Sequence, residues 1–171
     1  MKFEKQHVSR EITGYKSSSP SPFVYKTFAE IGSSGFVPIL KKIMADSLSR
    51  DDHTIQDAEA ELTRLIEMAG DAFDPSCWLL AMLKGETVGL LLPQRYPHKP
   101  ERGTVFYLGV LPKFRGLGYA RLLHSKSLEI LARLGVNEYV GSADVLNIPM
   151  IKIFEINGCE LKRVRSENLP S

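Results

Sequence analysis

Two glycines, Gly116 and Gly118, stand at the junction between a predicted strand and a predicted helix, where a phosphate could bind. The strand runs over Thr104 to Val110 and ends before Pro112, and an amphipathic helix follows from about Gly116 to Leu134. Glycine has no Cβ, so a phosphate can approach its backbone closely. The first four N–H groups of a helix lack internal partners, and the helix dipole adds positive potential there. The junction therefore predicts a pyrophosphate site, with a tight helix start as the alternative.

Two better-known phosphate loops are excluded at this junction by residue type. The Walker pattern requires a glycine followed by Lys-Ser or Lys-Thr, and no glycine of this chain is followed by either pair. The dinucleotide pattern requires a third glycine, but Arg121 occupies that position. The predicted pyrophosphate site therefore follows neither the Walker nor the dinucleotide pattern.

The segment Arg115-x-x-Gly118-x-Ala120 after Val110-x-Pro112 resembles the cofactor-binding motif of the GCN5-related N-acetyltransferases. In that family Arg/Gln-x-x-Gly-x-Gly/Ala follows the fourth strand, and its amides hold the pyrophosphate of acetyl-CoA. The segment Asn147 to Gly158 resembles the family's pattern of Asn, a small or apolar residue, Leu-Tyr and Gly-Phe. The resemblance covers about residues 75–160 by motif and about 23–164 by element order.

The resemblance implies acetyl-CoA as co-substrate and a set of residues that bind it. The residues assigned to the pyrophosphate are Arg115, Gly116, Leu117, Gly118, Tyr119 and Ala120. Val110 would pair with the pantetheine arm through its backbone, and Asn147 would contact that arm as well as begin the last helix. Such binding requires the fourth strand to splay from the fifth, Glu138 to Val145. In the related enzymes, acceptors bind near the loop Arg95 to Arg102 and the first two helices.

The usual proton donor of the family is missing at the expected position. Related enzymes often place a Tyr on the last helix to protonate the leaving thiolate, and here that position holds Phe154. Another group could serve, or the thiolate could leave unaided, since a thiol has a pKa near 8.5. Tyr107 and Asn147 are the candidate catalytic residues, although Tyr107 could also be an ordinary strand aromatic. Asp144 and Glu86 are possible bases through water, and the sequence does not rank them.

The remaining reactive side chains are expected to be structural. His124 lies between Ala120 and Leu128 on the apolar face of its helix, which favours a packed core histidine over a base. Cys159 follows a predicted turn, so we expect burial and not a nucleophile. No metal site is expected, because His53 and His98 lie in predicted loops without metal-ligand spacing.

The element pattern predicts an α+β fold with a mixed α/β sheet, mostly antiparallel and flanked by helices on both faces, like an acyl-CoA N-acyltransferase of the GNAT family. Residues 1–22 are expected to form an N-terminal arm or linker, in which Met1 to Val8 could add an edge strand. Residues 23–171 are expected to form the acetyltransferase domain. The other predicted strands are Phe23 to Ile31, Cys77 to Leu83, Thr87 to Leu92 and Leu161 to Val164, with a loop at Pro93 to Gly103. The other predicted helices follow Gly32-Ser33-Ser34, run from Thr54 to Gly70, and span Ile148 to Ile156.

The composition is that of an ordinary globular domain. The chain has 171 residues, and its net charge of +2 gives no support to nucleic-acid binding. We expect no secretory signal and no membrane span, since no stretch approaches the ~18 apolar residues that a span requires. The two cysteines form no CxxC pair and suit a reduced, cytoplasmic setting. We therefore expect an N-acetyltransferase with a small-molecule or peptide amine acceptor, in a family where homodimers are ordinary. The alternative is a catalytically degenerate CoA-binding sensor or structural module.

Overall fold

Seven strands form one sheet in the computed structural model, which describes residues 4–18, 20–46 and 57–163. The strands are β1 (Lys5–Glu11), β2 (Val24–Thr27), β3 (Leu79–Leu83), β4 (Glu86–Arg95), β5 (Arg102–Val110), β6 (Glu138–Asp144) and β7 (Glu160–Arg163). Their order is β2-β3-β4-β5-β6-β1-β7, and every neighbouring pair is antiparallel except β5 and β6, which are parallel. The expected mixed, mostly antiparallel sheet is confirmed.

Helices cover both faces of this sheet, as expected. They are α1 (Phe28–Ala45), α2 (Ala58–Ala69), α3 (Tyr119–Arg133) and α4 (Ile148–Ile156). Successive side chains of a strand point to opposite faces. On β4, Leu90 packs in the cluster formed with α1 and α2, whereas Leu91 packs with Leu123 of α3. Phe154 of α4 shares a cluster with Leu128 of α3, so α4 lies on the α3 face.

The N-terminal strand is the largest departure from the expected organisation. β1 pairs with β6 on one side and with β7 on the other, so it is an interior strand. The expectation of an edge strand was therefore wrong, and part of the expected arm 1–22 belongs to the sheet. The segment Lys5–Glu11 reads as polar because Val8 is its one apolar residue. Val8 is nevertheless 2% exposed, and burial of this residue ties the strand to the core.

The first helix begins earlier than its glycine suggested. The expected strand Phe23 to Ile31 stops at Thr27, which forms a capping box with Glu30. The Thr27 hydroxyl accepts from the Glu30 N–H at 3.2 Å, and the Glu30 carboxylate accepts from the Thr27 N–H at 2.7 Å. Gly32, the expected start, instead marks a kink with φ of 60° inside α1. The expected start of the second helix at Thr54 lies outside the described residues, and α2 begins after the cap Asp57.

The loop expected over Pro93 to Gly103 is shorter than predicted, because strands occupy both of its ends. β4 continues to Arg95 and β5 begins at Arg102, which leaves a short connection of residues 96–101. Proline cannot donate to a ladder, so within sheets it occurs at edges and bulges. Pro93 stands where the β4–β5 register shifts, so the interior strand accommodates it at an irregularity.

Candidate active site

A cleft opens in the middle of the sheet because its two parallel strands separate. β5 and β6 pair only at Arg102 with Glu138 and at Gly103 with Tyr139, and then diverge. The space between them, here called the β5–β6 cleft, has a volume of about 300 Å³. Side chains from both faces of the sheet line it, including Arg64 of α2 and Phe154 of α4. The splay expected between these strands is thus present.

The backbone of β5 directs polar groups into this cleft. Leu111 N–H donates to the Val88 carbonyl at 2.8 Å, so Leu111 faces β4. Polar backbone groups of successive strand residues point to opposite sides. Val110 therefore faces away from β4, and its carbonyl accepts from Arg115 Nε at 3.1 Å. Its N–H remains directed towards the β5–β6 cleft, where the expected pairing with a pantetheine arm would take place.

The N-terminus of α3 lacks a side-chain cap. The backbone at Gly116 (φ 78°) and Gly118 (φ 79°) is left-handed, a conformation that favours glycine. Thr27, Asp57 and Asn147 cap α1, α2 and α4 with side-chain oxygens, whereas Gly118 offers none to α3. The first N–H groups of α3 therefore have no side-chain acceptor, and an anion would satisfy them.

The side chains of this motif are occupied elsewhere. Arg115 donates from Nη1 to Asp46 Oδ2 at 2.5 Å as well as to Val110. The ring of Tyr119 packs edge-on against Phe23 with centroids 5.1 Å apart. The side chain of Leu117 is 60% exposed. The segment Arg115 to Ala120 therefore presents mainly backbone groups, and Arg115 braces the loop against the end of α1.

An ion pair that we did not predict, between the buried Glu61 and the exposed Arg64, lines the cleft on the α2 side. Glu61 is 4% exposed, and its carboxylate accepts from Arg64 Nη2 at 2.6 Å and from Arg64 Nε at 2.9 Å. Tyr107 lines the same wall, and burial followed by the nearby Glu61 charge raises its pKa. Tyr107 is thus a protonated hydroxyl in the cleft. The signal in the sequence was Glu61 on the apolar stripe of α2, beside Leu62 and Leu65.

The candidate polar residues of β6 and α4 divide into cleft and surface positions. Asn147 and Asp144 line the cleft, and the Asn147 side chain accepts from Met150 N–H at 3.3 Å. Asp144 is buried and accepts from Leu146 N–H at 2.9 Å. Glu86 lies on an exposed hairpin and accepts from Lys113 at 2.8 Å. Of the two possible bases, Asp144 reaches the cleft. No residue of the loop Arg95 to Arg102 lines it.

Phe154 lines the cleft on the α4 side, and His124 is buried behind it. Phe154 is buried and packs edge-on against His124, with ring centroids 5.5 Å apart. Burial lowers the pKa of His124 to about 3, so the ring is neutral, as expected of a core histidine. Burial raises the pKa of the Cys159 thiol to about 11. A thiol that stays protonated is a poor nucleophile, in agreement with the expected burial.

Neither a metal centre nor a membrane span is found in the part of the chain that the structure describes. No group of three or more His, Cys, Asp or Glu side chains there could hold a metal ion. His98 is exposed in the connection of residues 96–101, and His53 lies outside the described ranges. None of the described helices is long and apolar enough to cross a membrane.

A mixed sheet whose parallel strands splay, together with a helix that lacks a side-chain cap, agrees with the fold expected from the sequence. The profile of the acetyltransferase (GNAT) family matches residues 42–158, which is more than half of the chain. The chain therefore belongs to the GNAT acetyltransferase family.

Two curated relatives and several solved structures resemble the chain. An acetyltransferase of Pectobacterium atrosepticum is 43% identical over 53 residues, and one of Photorhabdus laumondii is 44% identical over 50 residues. These stretches cover 31% and 29% of this chain, and 36% and 33% of the relatives, so about a third of their length is matched.

The solved structures support the fold. A GCN5-related N-acetyltransferase from Sphaerobacter thermophilus superposes with a TM-score of 0.66 at 18% identity, covering 94% of this chain and 49% of its own. A GNAT acetyltransferase from Colwellia psychrerythraea gives 0.67 at 14% identity, covering 94% and 53%.

Proposed function

We propose that this protein transfers an acetyl group from acetyl-CoA to a primary amine by direct attack of the amine. Two observations carry the proposal: β5 and β6 separate beyond Gly103 and Tyr139, and α3 begins after Gly118 without a side-chain cap. The helix end would hold the pyrophosphate of the donor, and the splayed strands would receive its pantetheine arm. The membership of the GNAT family supports this assignment.

Backbone groups would do most of the binding. The N–H groups of the segment Gly116 to Ala120 suit a pyrophosphate, because glycine geometry exposes them and the α3 dipole favours negative charge. The Val110 N–H suits a carbonyl of the pantetheine arm. Main-chain N–H groups inside the cleft could also stabilise the charge that develops on the thioester oxygen. Arg115 would keep the loop in place through Asp46 and Val110.

Direct attack is favoured over a covalent acyl-enzyme by the state of the cysteines. Cys159 is buried with a raised pKa, and burial also raises the pKa of Cys77. The acceptor would enter from the α2 side, where Glu61, Arg64 and Tyr107 line the cleft. The amine nitrogen bonds to the acyl carbon, the carbon–sulfur bond breaks, and its electron pair remains on sulfur. The proton that the nitrogen loses passes to water or to a nearby base.

The free thiols also support a cytoplasmic location as part of this proposal.

Binding of acetyl-CoA tests the donor site, and two glycines of one helix provide a matched pair of variants. Gly118 (φ 79°) precedes α3 and Gly135 (φ 87°) follows it. A glutamate at either position imposes the same backbone strain and charge, but only Gly118→Glu places the carboxylate at the pyrophosphate site. By calorimetry we expect Gly118→Glu to abolish measurable binding and Gly135→Glu to retain it. Equal affinity of both variants would show that the pyrophosphate binds elsewhere.

Release of free CoA in the presence of a panel of amines tests transfer itself. We expect turnover with at least one amine class, measured with a thiol reagent and confirmed by the mass of the acetylated product. The buried Phe154 favours a second candidate, a CoA-binding module without activity. Tight binding of acetyl-CoA with no turnover on any amine would support that module.

A further inference from the structure

A row of hydrogen bonds behind the cleft fixes the tautomer of His124. Asn157 Nδ2 lies 3.1 Å from the Arg121 carbonyl and 2.8 Å from His124 Nδ1. A carbonyl can only accept, so the atom facing Arg121 must be the amide nitrogen, and this nitrogen also donates to His124. His124 Nδ1 is thus an acceptor, and the single proton of the neutral ring is on Nε2.

The proton on Nε2 determines what the next group can do. His124 Nε2 lies 3.1 Å from Tyr139 Oη and donates to it. Burial raises the pKa of Tyr139, so the phenol keeps its own proton at working pH. Among the described residues, His124 is the hydrogen-bonding partner of this hydroxyl. The phenol proton is therefore available to an acceptor atom on a bound ligand.

The hydroxyl of Tyr139 lies at the start of the splay. Tyr139 is opposite Gly103, the last residue of β5 that pairs with β6. A Cβ built on Gly141 would collide with Tyr139 Oη, so the hydroxyl lies where a side chain at 141 would be. Because residue 141 is glycine, no side chain of its own covers the hydroxyl. Tyr139 and Gly141 both line the β5–β6 cleft.

The length of the donor brings its sulfur to this position. The pantetheine arm has about as many chain atoms as four residues of extended backbone, which corresponds to roughly 14 Å. Counted back along β5 from Val110, four residues lead to Phe106. Continuing the parallel register beyond Gly103 and Tyr139 places Val105 opposite Gly141. Phe106 follows Val105 directly, so the end of the arm would lie in the part of the cleft that Val105, Tyr139 and Gly141 line.

We propose that Tyr139 donates a hydrogen bond to the leaving sulfur, in place of the tyrosine that related enzymes carry at the position of Phe154. The inference rests on the proposed acetyl transfer. As the carbon–sulfur bond breaks, its electron pair stays on sulfur and the Tyr139 hydroxyl stabilises the thiolate. The phenol proton is shared and not lost, and free CoA takes up a proton from water. His124 acts as a positioning residue, since its N–H occupies the phenol oxygen and turns the phenol proton towards the cleft.

The pKa of bound CoA tests the proposal without turnover. A donor near the sulfur stabilises the thiolate, so we expect Tyr139→Phe to raise the pKa of the bound thiol by about one to two pH units. The thiolate is followed by its ultraviolet absorbance in complexes of CoA with each variant. Tyr15→Phe is the matched control, because the Tyr15 hydroxyl bonds to Ser125 Oγ of α3 at 2.7 Å outside the cleft. We expect this control to leave the pKa of the bound thiol unchanged.

Turnover and rescue distinguish donation from a structural role. We expect Tyr139→Phe to lower kcat by roughly 10- to 100-fold with little change in the KM for acetyl-CoA, as befits a lost general-acid-type contact. Adding Phe154→Tyr to Tyr139→Phe should restore part of the activity and lower the thiol pKa again. Gly141→Ala, which would displace the hydroxyl with the phenol still present, should raise the thiol pKa like Tyr139→Phe.

The possible outcomes distinguish the role of Tyr139 from the proposed acetyl transfer. If wild-type protein turns over but Tyr139→Phe keeps both its kcat and its bound thiol pKa, the role of Tyr139 is overturned and acetyl transfer stands. If the wild type neither binds acetyl-CoA nor releases CoA, the proposed function fails and this inference fails with it. Equal losses in Tyr139→Phe and Tyr15→Phe would assign Tyr139 a structural role only.

Discussion

His124 shows how the surroundings of one residue decide whether it takes part in proton transfer. Its ring lies between Tyr139 and Phe154, and both ring nitrogens form hydrogen bonds. Burial holds its pKa at about 3, far below the ordinary value of histidine. A ring in this position cannot collect a proton from a substrate amine at neutral pH. In the folded protein the ring orients its neighbours through hydrogen bonds. In the unfolded chain it binds a proton.

Acid should therefore destabilise the protein through His124. As the pH falls below about 6.5, the unfolded chain protonates this histidine and the folded chain does not, until the pH nears 3. The free energy of unfolding should fall across this window, by roughly 3 kcal/mol between pH 7 and pH 4 from this group alone. We expect His124→Gln to remove that dependence, measured by urea denaturation at both pH values.

The exposed histidine of the β4–β5 connection provides the control. His98→Gln should leave the acid dependence of the wild type unchanged, because His98 is exposed in the folded protein. The same acid dependence in His124→Gln and in the wild type would contradict the assignment to His124.

Single residues were predictable where the pattern along one helix sufficed. His124 lies between Ala120 and Leu128 on an apolar face, and its burial follows from helical spacing. Its partner Tyr139 is on another element, and only the folded arrangement of α3 against β6 brings the two together. Glu61 was missed for a related reason. Its place on the apolar stripe indicates burial, but only the folded arrangement shows which cleft this residue lines.

At the scale of elements, the junction of β6 and α4 has a structural role and, in the proposed function, a binding role. Asn147 caps α4 and also lines the β5–β6 cleft. We expect Asn147→Ala to lower the free energy of unfolding by about 1 kcal/mol, the usual cost of a lost N-cap. Asn147→Asp keeps a capping oxygen but adds negative charge to the cleft and removes the amide donor. It should retain the stability and weaken acetyl-CoA binding, as measured by denaturation and calorimetry.

The N-cap of α2, Asp57, provides a control that separates helix capping from cofactor binding. Asp57 caps α2 through the Glu59 N–H at 2.9 Å and does not line the cleft. Asp57→Ala should cost similar stability without changing the affinity for acetyl-CoA. Unchanged affinity in Asn147→Asp would reduce Asn147 to a cap.

The bounds of helices and strands were predictable where the period of the apolar residues changed. They were unpredictable where tertiary contacts determine the ends of an element. The passage from strand to helix around Gly116 follows from a change of apolar period, and α4 has the expected bounds Ile148–Ile156. β4 extends past Pro93 because β5 continues to pair with it beyond the register shift, whereas the pairing with β3 ends at Leu91. β1 was obscured by its polar sequence, since both of its pairing partners lie more than 120 residues away.

At the scale of the whole molecule, substitutions of two valines test how much the N-terminal strand stabilises the fold. Val8 in β1 is 2% exposed in the cluster with Leu128 and Phe154, whereas Val24 in the edge strand β2 is 70% exposed. We expect Val8→Ala to lower the free energy of unfolding by about 2 kcal/mol through lost burial and a residual cavity. Val24→Ala should change it by less than about 0.5 kcal/mol. Urea denaturation of both variants tests this, and similar values would mean that β1 carries little of the core.

The interior position of β1 also sets the order in which the molecule can be assembled. During synthesis β1 leaves the ribosome early, but its partners β6 and β7 follow more than 120 residues later. Pairings of such long sequence separation form slowly, because the loop must close before the contacts stabilise it. β6 is also one wall of the β5–β6 cleft. The β5–β6 cleft is therefore among the last parts of the protein to form, and we expect a nascent chain to lack a complete cleft until β1 has paired with β6.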